Sequence, residues 1–309
     1  MKRREFLKTS AVLGAVSALG AGKESLNRTS LAAAEGTEVA VAHGADFGKA
    51  TEKAVALLGG IEKYVPKGAK VAILPNSQSK NPGAHTKPEI VRTAIRMCQE
   101  AGAGEIACLS WLPEKYWEAT GLGKAVVEGG ARLRIIDLKD ESLFRALPLT
   151  RGKVLKEAKI MTPFFEYDVF LNLPITKDHA GNRFTGAMKN LMGLNSPTVN
   201  RFFHTGDFKT KPDDIEHLDQ CIADLNLALA PTLCIVDATE FLTTNGPFGP
   251  GEISSPKKVV AGVDRVAIDS YCTTLLGMRG EDIVMIKRGH EHGLGEIDLK
   301  KVRLREVEA

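Results

Sequence analysis

The 309-residue chain is 43% hydrophobic and 26% charged, with 30 glycines and only 6% aromatic residues, which suits a glycine-punctuated α/β protein of one large or two moderate domains better than an all-β sandwich. Its formal net charge of +3 rests on 41 basic and 38 acidic side chains, of which six and two lie in residues 1–34. The remaining 35 basic and 36 acidic side chains give a net of −1 and no electrostatic case for a nucleic-acid partner.

The chain opens with "MKRREFLKTSAVLGAVSALGAG". The run Arg3-Arg4-Glu5-Phe6-Leu7-Lys8 resembles a twin-arginine export signal, and Ala32-x-Ala34 supplies a cleavage pattern, so the mature chain is expected to begin near Glu35. The expectation is passage through the twin-arginine translocase to a periplasmic or extracytoplasmic location. The apolar stretch Thr9–Gly22 is shorter than the ~20 residues a membrane span needs, so no permanent span is expected. A basic membrane anchor is the competing reading.

Past the signal, strand and helix patterns alternate. "EVAVAH" reads as a strand, "KATEKAVALLGGIEKYV" as a helix and "AKVAILPN" as a strand. "PEIVRTAIRMCQEAG" is an amphipathic helix with Pro88 at its start and Gly102 after its end. "EIACLSW" and "ARLRIIDL" are strands around the helical "EKYWEATGLGKAVVEGG". From Lys153 the pattern loosens into an edge strand or hairpin. "YDVFLNLP" is a core strand, "DDIEHLDQCIADLNLAL" a helix, and "TLCIVDATE" and "KKVVAGVD" strands. Asp264 is placed to cap the helix "RVAIDSYCTTLLGM". "EDIVMIKRGHEHGLG" is a last helix, with His290 and His292 at a polar helix end, and "KVRLREVE" a closing strand. Continuous apolar strands between amphipathic helices predict a mostly parallel sheet with helices on both faces. The expected organisation is one α/β domain over 35–309, with a subdomain edge near 140–165 if two α/β parts surround a cleft.

Five cysteines, Cys98, Cys108, Cys221, Cys234 and Cys272, sit singly inside apolar patterns. No C-x-x-C pair occurs, which argues against an iron–sulfur cluster or a disulfide framework and for buried apolar packing.

Ligands of open α/β sheets bind beyond the carboxyl ends of the strands. Those ends carry Asn76, Ser110-Trp111, Lys177, His179, Asp237, Glu240 and Asp264. The densest set is "NLPITKDHAGNRFTGAMKNLMG", residues 172–193. Lys177 and His179 follow a strand two residues apart, a spacing that suits acid/base work or anion binding. A helix expected to begin at Thr185-Gly186 would expose amides to an anion, with Lys189 as a cation and Asn190 as a hydrogen-bonding group. A solvated surface loop is the bland alternative. His204, in "NRFFHTGDF", is a further candidate. A metal held by His179, His204 and distant carboxylates is a minority reading, since no local H-E-x-x-H signature exists. The loop "TTNGPFGPGEISS" is of the kind that lies over a site. Nucleophile-elbow, P-loop and dinucleotide fingerprints are absent from the sequence.

The central stretch resembles family 362 of the domains of unknown function. That family's strand aspartate, Asn-x-Pro-x-x-Lys-x-His and Thr-Gly-x-x-Lys-Asn-x-x-Gly fall here on Asp168, Asn172, Pro174, Lys177, His179, Thr185, Gly186, Lys189, Asn190 and Gly193. The likeness extends to "AILPN", "VDATEFLTTNGP", "AGVDRVAIDSYCTTLLG" and "GLGEIDL". It implies that the Lys-His and Lys-Asn pairs belong to a recurring site, and a fold similar to the nickel-dependent lactate racemase group. Many members carry a ferredoxin-type cysteine cluster, from which this chain departs. The expectation is a polar cleft for a small anionic ligand or a metal or cofactor, serving acid/base or redox chemistry. Lys177 and His179 would be catalytic, and Asn76, Asn172, Thr185, Gly186, Lys189, Asn190, His204 and Asp237 would bind ligand. A non-catalytic ligand-binding or accessory protein is the alternative.

Overall fold

The computed structural model describes residues 37–204 and 212–309; the expected export signal lies outside the described residues. The strands are β1 (Glu38–His43), β2 (Lys70–Pro75), β3 (Glu105–Ser110), β4 (Arg132–Ile135), β5 (Phe144–Pro148), β6 (Glu157–Met161), β7 (Val169–Leu173), β8 (Leu233–Ala238), β9 (Phe241–Leu242), β10 (Ile253–Ser254), β11 (Lys258–Gly262) and β12 (Arg303–Glu308). The helices are α1 (Phe47–Leu57), α2 (Pro88–Glu100), α3 (Glu114–Ala119), α4 (Leu122–Glu128), α5 (Ala187–Asn190), α6 (Pro197–Phe203), α7 (Pro212–Leu225), α8 (Arg265–Thr274) and α9 (Val284–Glu291).

Eight strands form one sheet in the order β12-β1-β11-β8-β7-β2-β3-β4, and only β11 runs against the others. Period-2 alternation divides each central strand between two cores. Val71 and Ile73 of β2, with Ile106 and Cys108 of β3, pack with α1, α2 and α4. Ala72 and Leu74, with Ala107 and Leu109, face the other way, where α5, α7, α8 and α9 cover the sheet. The expected mostly parallel sheet with helices on both faces is therefore present. The loosened stretch around 140–165 is the β5–β6 hairpin, which pairs antiparallel outside the main sheet.

Local chemistry sets the element ends. Asp264 caps α8 by accepting from the amides of Val266 and Ala267, both at 2.9 Å. The segment expected as one helix over 114–130 is two, because Gly121 adopts φ +72 and stops α3 before α4 begins. The helix expected from Thr185 is the short α5, starting at Ala187 and followed by a 3₁₀ turn to Gly193. All five cysteines are free and buried, and burial raises each thiol pKa, so they pack as small apolar groups. His292 is not at a polar helix end: it is buried with its Nε2 2.7 Å from Asp224 Oδ1.

Asp269 of α8 joins two layers of this face. Its fully buried carboxylate accepts from the amides of Ala187 (2.6 Å) and Met188 (2.9 Å). A Cβ on Gly186 would lie 2.3 Å from Asp269 Oδ1 and 2.5 Å from the Phe184 ring, so only glycine lets the chain pass there. Burial raises the Asp269 pKa to about 7 against the opposing pull of the two amides and Arg265. Asp269→Asn should destabilise the fold by about 1–3 kcal/mol despite its equal size, because the new NH₂ turns a donor toward a donor. Denaturant titration of the two proteins measures the difference.

Candidate functional site

A cleft of about 540 Å³ opens beyond the carboxyl ends of β2 and β3 and beside the segment that leaves β7. The chain goes from β2 to β3 and β4 on one side and from β7 to β8 on the other, so the cleft lies at a topological switch point of the sheet. Asn76, His179, Thr185, Lys189, Asn190 and His204, all expected site residues, line it together. Trp111, from the end of β3, and Gly246–Phe248, from the Gly/Pro loop, line it as well. A Cβ on Gly246 would lie 1.8 Å from the carbonyl oxygen of Asp178, which is how closely that loop crosses the Lys-His segment.

Four expected residues lie elsewhere. Lys177 is fully buried beneath the cleft, with Nζ donating to Asn76 Oδ1 (3.2 Å) and to the Ala84 carbonyl (2.5 Å). Asn172 is buried in β7 and donates to the Ala187 carbonyl at 2.9 Å. Gly186 backs onto Asp269, so the amides at the start of α5, expected to meet an external anion, meet an internal one. Asp237 is fully buried and accepts from Thr239 N, Thr239 Oγ1 and the Lys87 amide that begins α2. It organises a loop and a helix start, and it does not line the cleft.

The floor of the cleft is a hydrogen-bond chain running in one direction. Lys177 donates to Asn76, Asn76 Nδ2 donates to Asn190 Oδ1 (3.2 Å), and Asn190 Nδ2 donates to Asn172 Oδ1 (2.8 Å) and the Leu74 carbonyl (3.0 Å). The chain ties β2, β7 and α5 through buried groups, where such bonds strengthen one another. Burial lowers the Lys177 pKa to about 7, and the Lys189 charge pushes it the same way. A neutral amine still donates both of its hydrogen bonds, so the geometry suits the uncharged form.

Lys189 faces the cleft. Its Nζ has Met192 Sδ at 3.8 Å, and among the described residues it forms no salt bridge; the carboxylate that acts on it is that of Asp219. Burial lowers its pKa, while the Asp219 charge partly restores it. Asp219, on α7, is fixed by Asn182 Nδ2 (2.6 Å) and the Met285 amide (3.0 Å). Sequence reasoning missed Asp219; its signal was a carboxylate placed among apolar positions of a helix.

The histidines are held neutral. His179 falls well below its ordinary pKa through burial and the charges of Lys189 and Lys177, and His204 is lowered to about 4 by burial and Lys189. His179 Nδ1 accepts from the amides of Gly181 (3.0 Å) and Asn182 (3.4 Å). Its proton therefore sits on Nε2, making His179 a neutral donor toward the cleft. This arrangement does not fit a metal ligand, which would free the Nε2 lone pair and donate through Nδ1. Among the described residues no group of three or more His, Cys, Asp or Glu side chains could hold a metal ion.

The fold is an open α/β protein with a cleft at the strand ends. Residues 71–274 match the family described as Domain of unknown function (DUF362), and the chain belongs to that family. It is 27% identical over 225 residues to a thylakoid-associated protein of Synechocystis sp., an alignment covering 71% of this chain and 66% of that protein. This chain therefore spans just under two thirds of that relative's length. A crystal structure of a protein from Thermotoga maritima aligns with a TM-score of 0.47 at 13% identity, covering 81% of this chain and 60% of that one. The lactate racemase apoprotein of Thermoanaerobacterium thermosaccharolyticum aligns with a TM-score of 0.43 at 15% identity, covering 64% and 50%.

The lowered Lys177 pKa has a signed consequence. The unfolded lysine titrates at about 10.4, so between about pH 7 and 10 the unfolded chain holds the extra proton and stability rises with pH. Lys177→Met removes this contribution. The stability of the native chain relative to the variant should climb by roughly 1 kcal/mol per pH unit from pH 7 to 9, as read by denaturant midpoints in matched buffers.

Proposed function

We propose that the cleft binds a small organic anion. The observation that carries this reading is the placement of Lys189: a cation at a cleft wall, its charge disfavoured by burial and lacking a close carboxylate among the described residues. An anionic ligand supplies the missing countercharge. The His179 Nε2–H adds a hydrogen bond without a second fixed charge, while Asn76 and Asn190, bonded to one another, hold the wall in place. If the cleft is catalytic, Lys189 in its neutral form is the proton acceptor and His179 the neutral donor to a developing oxyanion. Lys177 then acts as a positioning group through Asn76. Ligand holding without turnover is the second reading, favoured by the internal satisfaction of Lys177.

Anion binding favours the charged lysine, so it should draw in a proton. Calorimetric titration of the full chain with acetate, at pH 7 and pH 9 in buffers of different ionisation heat, should find weaker affinity and larger proton uptake at the higher pH. Lys189→Met should lower the pH 7 affinity roughly tenfold or more. Affinity independent of both pH and Lys189 would sink the reading.

We also propose that residues 1–34 direct twin-arginine export to the periplasm or another extracytoplasmic location. Replacing Arg3 and Arg4 together by lysine should retain the chain in the cytoplasmic fraction; unaltered export on fractionation would refute this.

A further inference from the structure

The cleft is predominantly apolar, and its indole and cationic linings come from different strands. Leu109, Trp111, Leu112 and Trp117 come from β3 and the segment after it, whereas His179 and Lys189 come from the segments after β7. Strand β2 stands between β3 and β7, and its end supplies Asn76. Two strand spacings, roughly 10 Å, separate the end of β3, which leads to the indoles, from the end of β7, which leads to the cation. Phe248 belongs to the rim: its side chain is 55% exposed while its carbonyl is fixed by Ser79 Oγ (2.8 Å) and Asn81 Nδ2 (2.7 Å). An aromatic ring left in solvent on an anchored backbone, beside a mostly apolar cleft, is a preformed contact for a flat apolar partner.

We infer that the ligand is an aryl carboxylate or a similar ring-bearing organic anion, with its charge beside Lys189 and its ring body across Trp111 beneath Phe248. This rests on the anion-binding reading above and adds the ligand's body to it. A volume of about 540 Å³ exceeds what acetate or inorganic phosphate needs and falls within the range of sites for drug-sized molecules. Trp117 is 1% exposed and donates its indole N–H to Ser110 Oγ at 3.1 Å, so that part of the wall is rigid. A rigid aromatic wall favours a planar body over a flexible acyl chain, which loses more rotational freedom on binding.

Calorimetry of the full chain at pH 7 with four probes, 2-naphthoate, acetate, decanoate and the neutral 2-naphthalenemethanol, tests the inference. Naphthoate should bind roughly tenfold or more tighter than acetate and the neutral alcohol, and tighter than decanoate. Phe248→Ala, at an exposed position that does not threaten folding, should weaken naphthoate roughly threefold or more and leave acetate unchanged. Acetate equal to naphthoate would overturn the ring-bearing ligand and leave anion binding standing. Decanoate tighter than naphthoate would overturn it in favour of an acyl chain. The neutral alcohol equal to naphthoate would instead overturn the anion-binding reading. If neither naphthoate nor acetate binds, both fall.

Discussion

A lysine with nowhere to put its charge governs the centre of this protein. Lys177 lies fully buried under the sheet's carboxyl edge, held by Asn76 and the Ala84 carbonyl. Its hydrogen bonds set the orientation of Asn76, which orients Asn190, which in turn locks Asn172 in β7. Each asparagine in this chain donates in one sense and accepts in the other, so reversing one amide would set donor against donor at the next. The ends of β2 and β7 and the short α5 are thereby fixed relative to one another, and Lys189 and Asn190 reach the cleft on that support.

Two positive groups placed close together in a buried region raise the cost of charging either one. The Lys189 charge disfavours that of Lys177, both lysines disfavour a charged His179, and Asp219 is the opposing carboxylate that acts on Lys189. Asp219 is itself held by Asn182 and the Met285 amide, so its charge is spread over other partners. Burial lowers both lysine pKa values toward neutrality, where a nearby charge of either sign changes their protonation.

Much of this was legible because the pattern was local. Strand-loop-helix chemistry between Asn172 and Gly193 concentrates polar side chains at one strand end, and the cleft forms there. The sheet class followed from unbroken apolar strands such as "YDVFLNLP", within which β7, Val169–Leu173, is buried at every residue. What the sequence could not convey was direction. Lys177 and His179 are neighbours by spacing, yet one side chain goes under the floor and the other to the wall. Asp237 has the same strand-end placement as Asn76, but adjacent amides and a hydroxyl consume its carboxylate. Asp269 and Asp224 satisfy partners about 80 and 70 residues away in the chain, at the start of α5 and in the loop before β6. Only an out-of-place carboxylate on a largely apolar helix hinted at either.

Both tryptophans of the chain border the cleft, Trp111 at the end of β3 and Trp117 on α3. The protein's intrinsic indole emission therefore originates wholly at the site, and none comes from β1, β11 or β12 at the far side of the sheet. A change in that emission reports local opening or filling of the cleft before it reports global unfolding. Spectroscopic unfolding curves followed at this wavelength will track one edge of the molecule, and circular dichroism will track the whole.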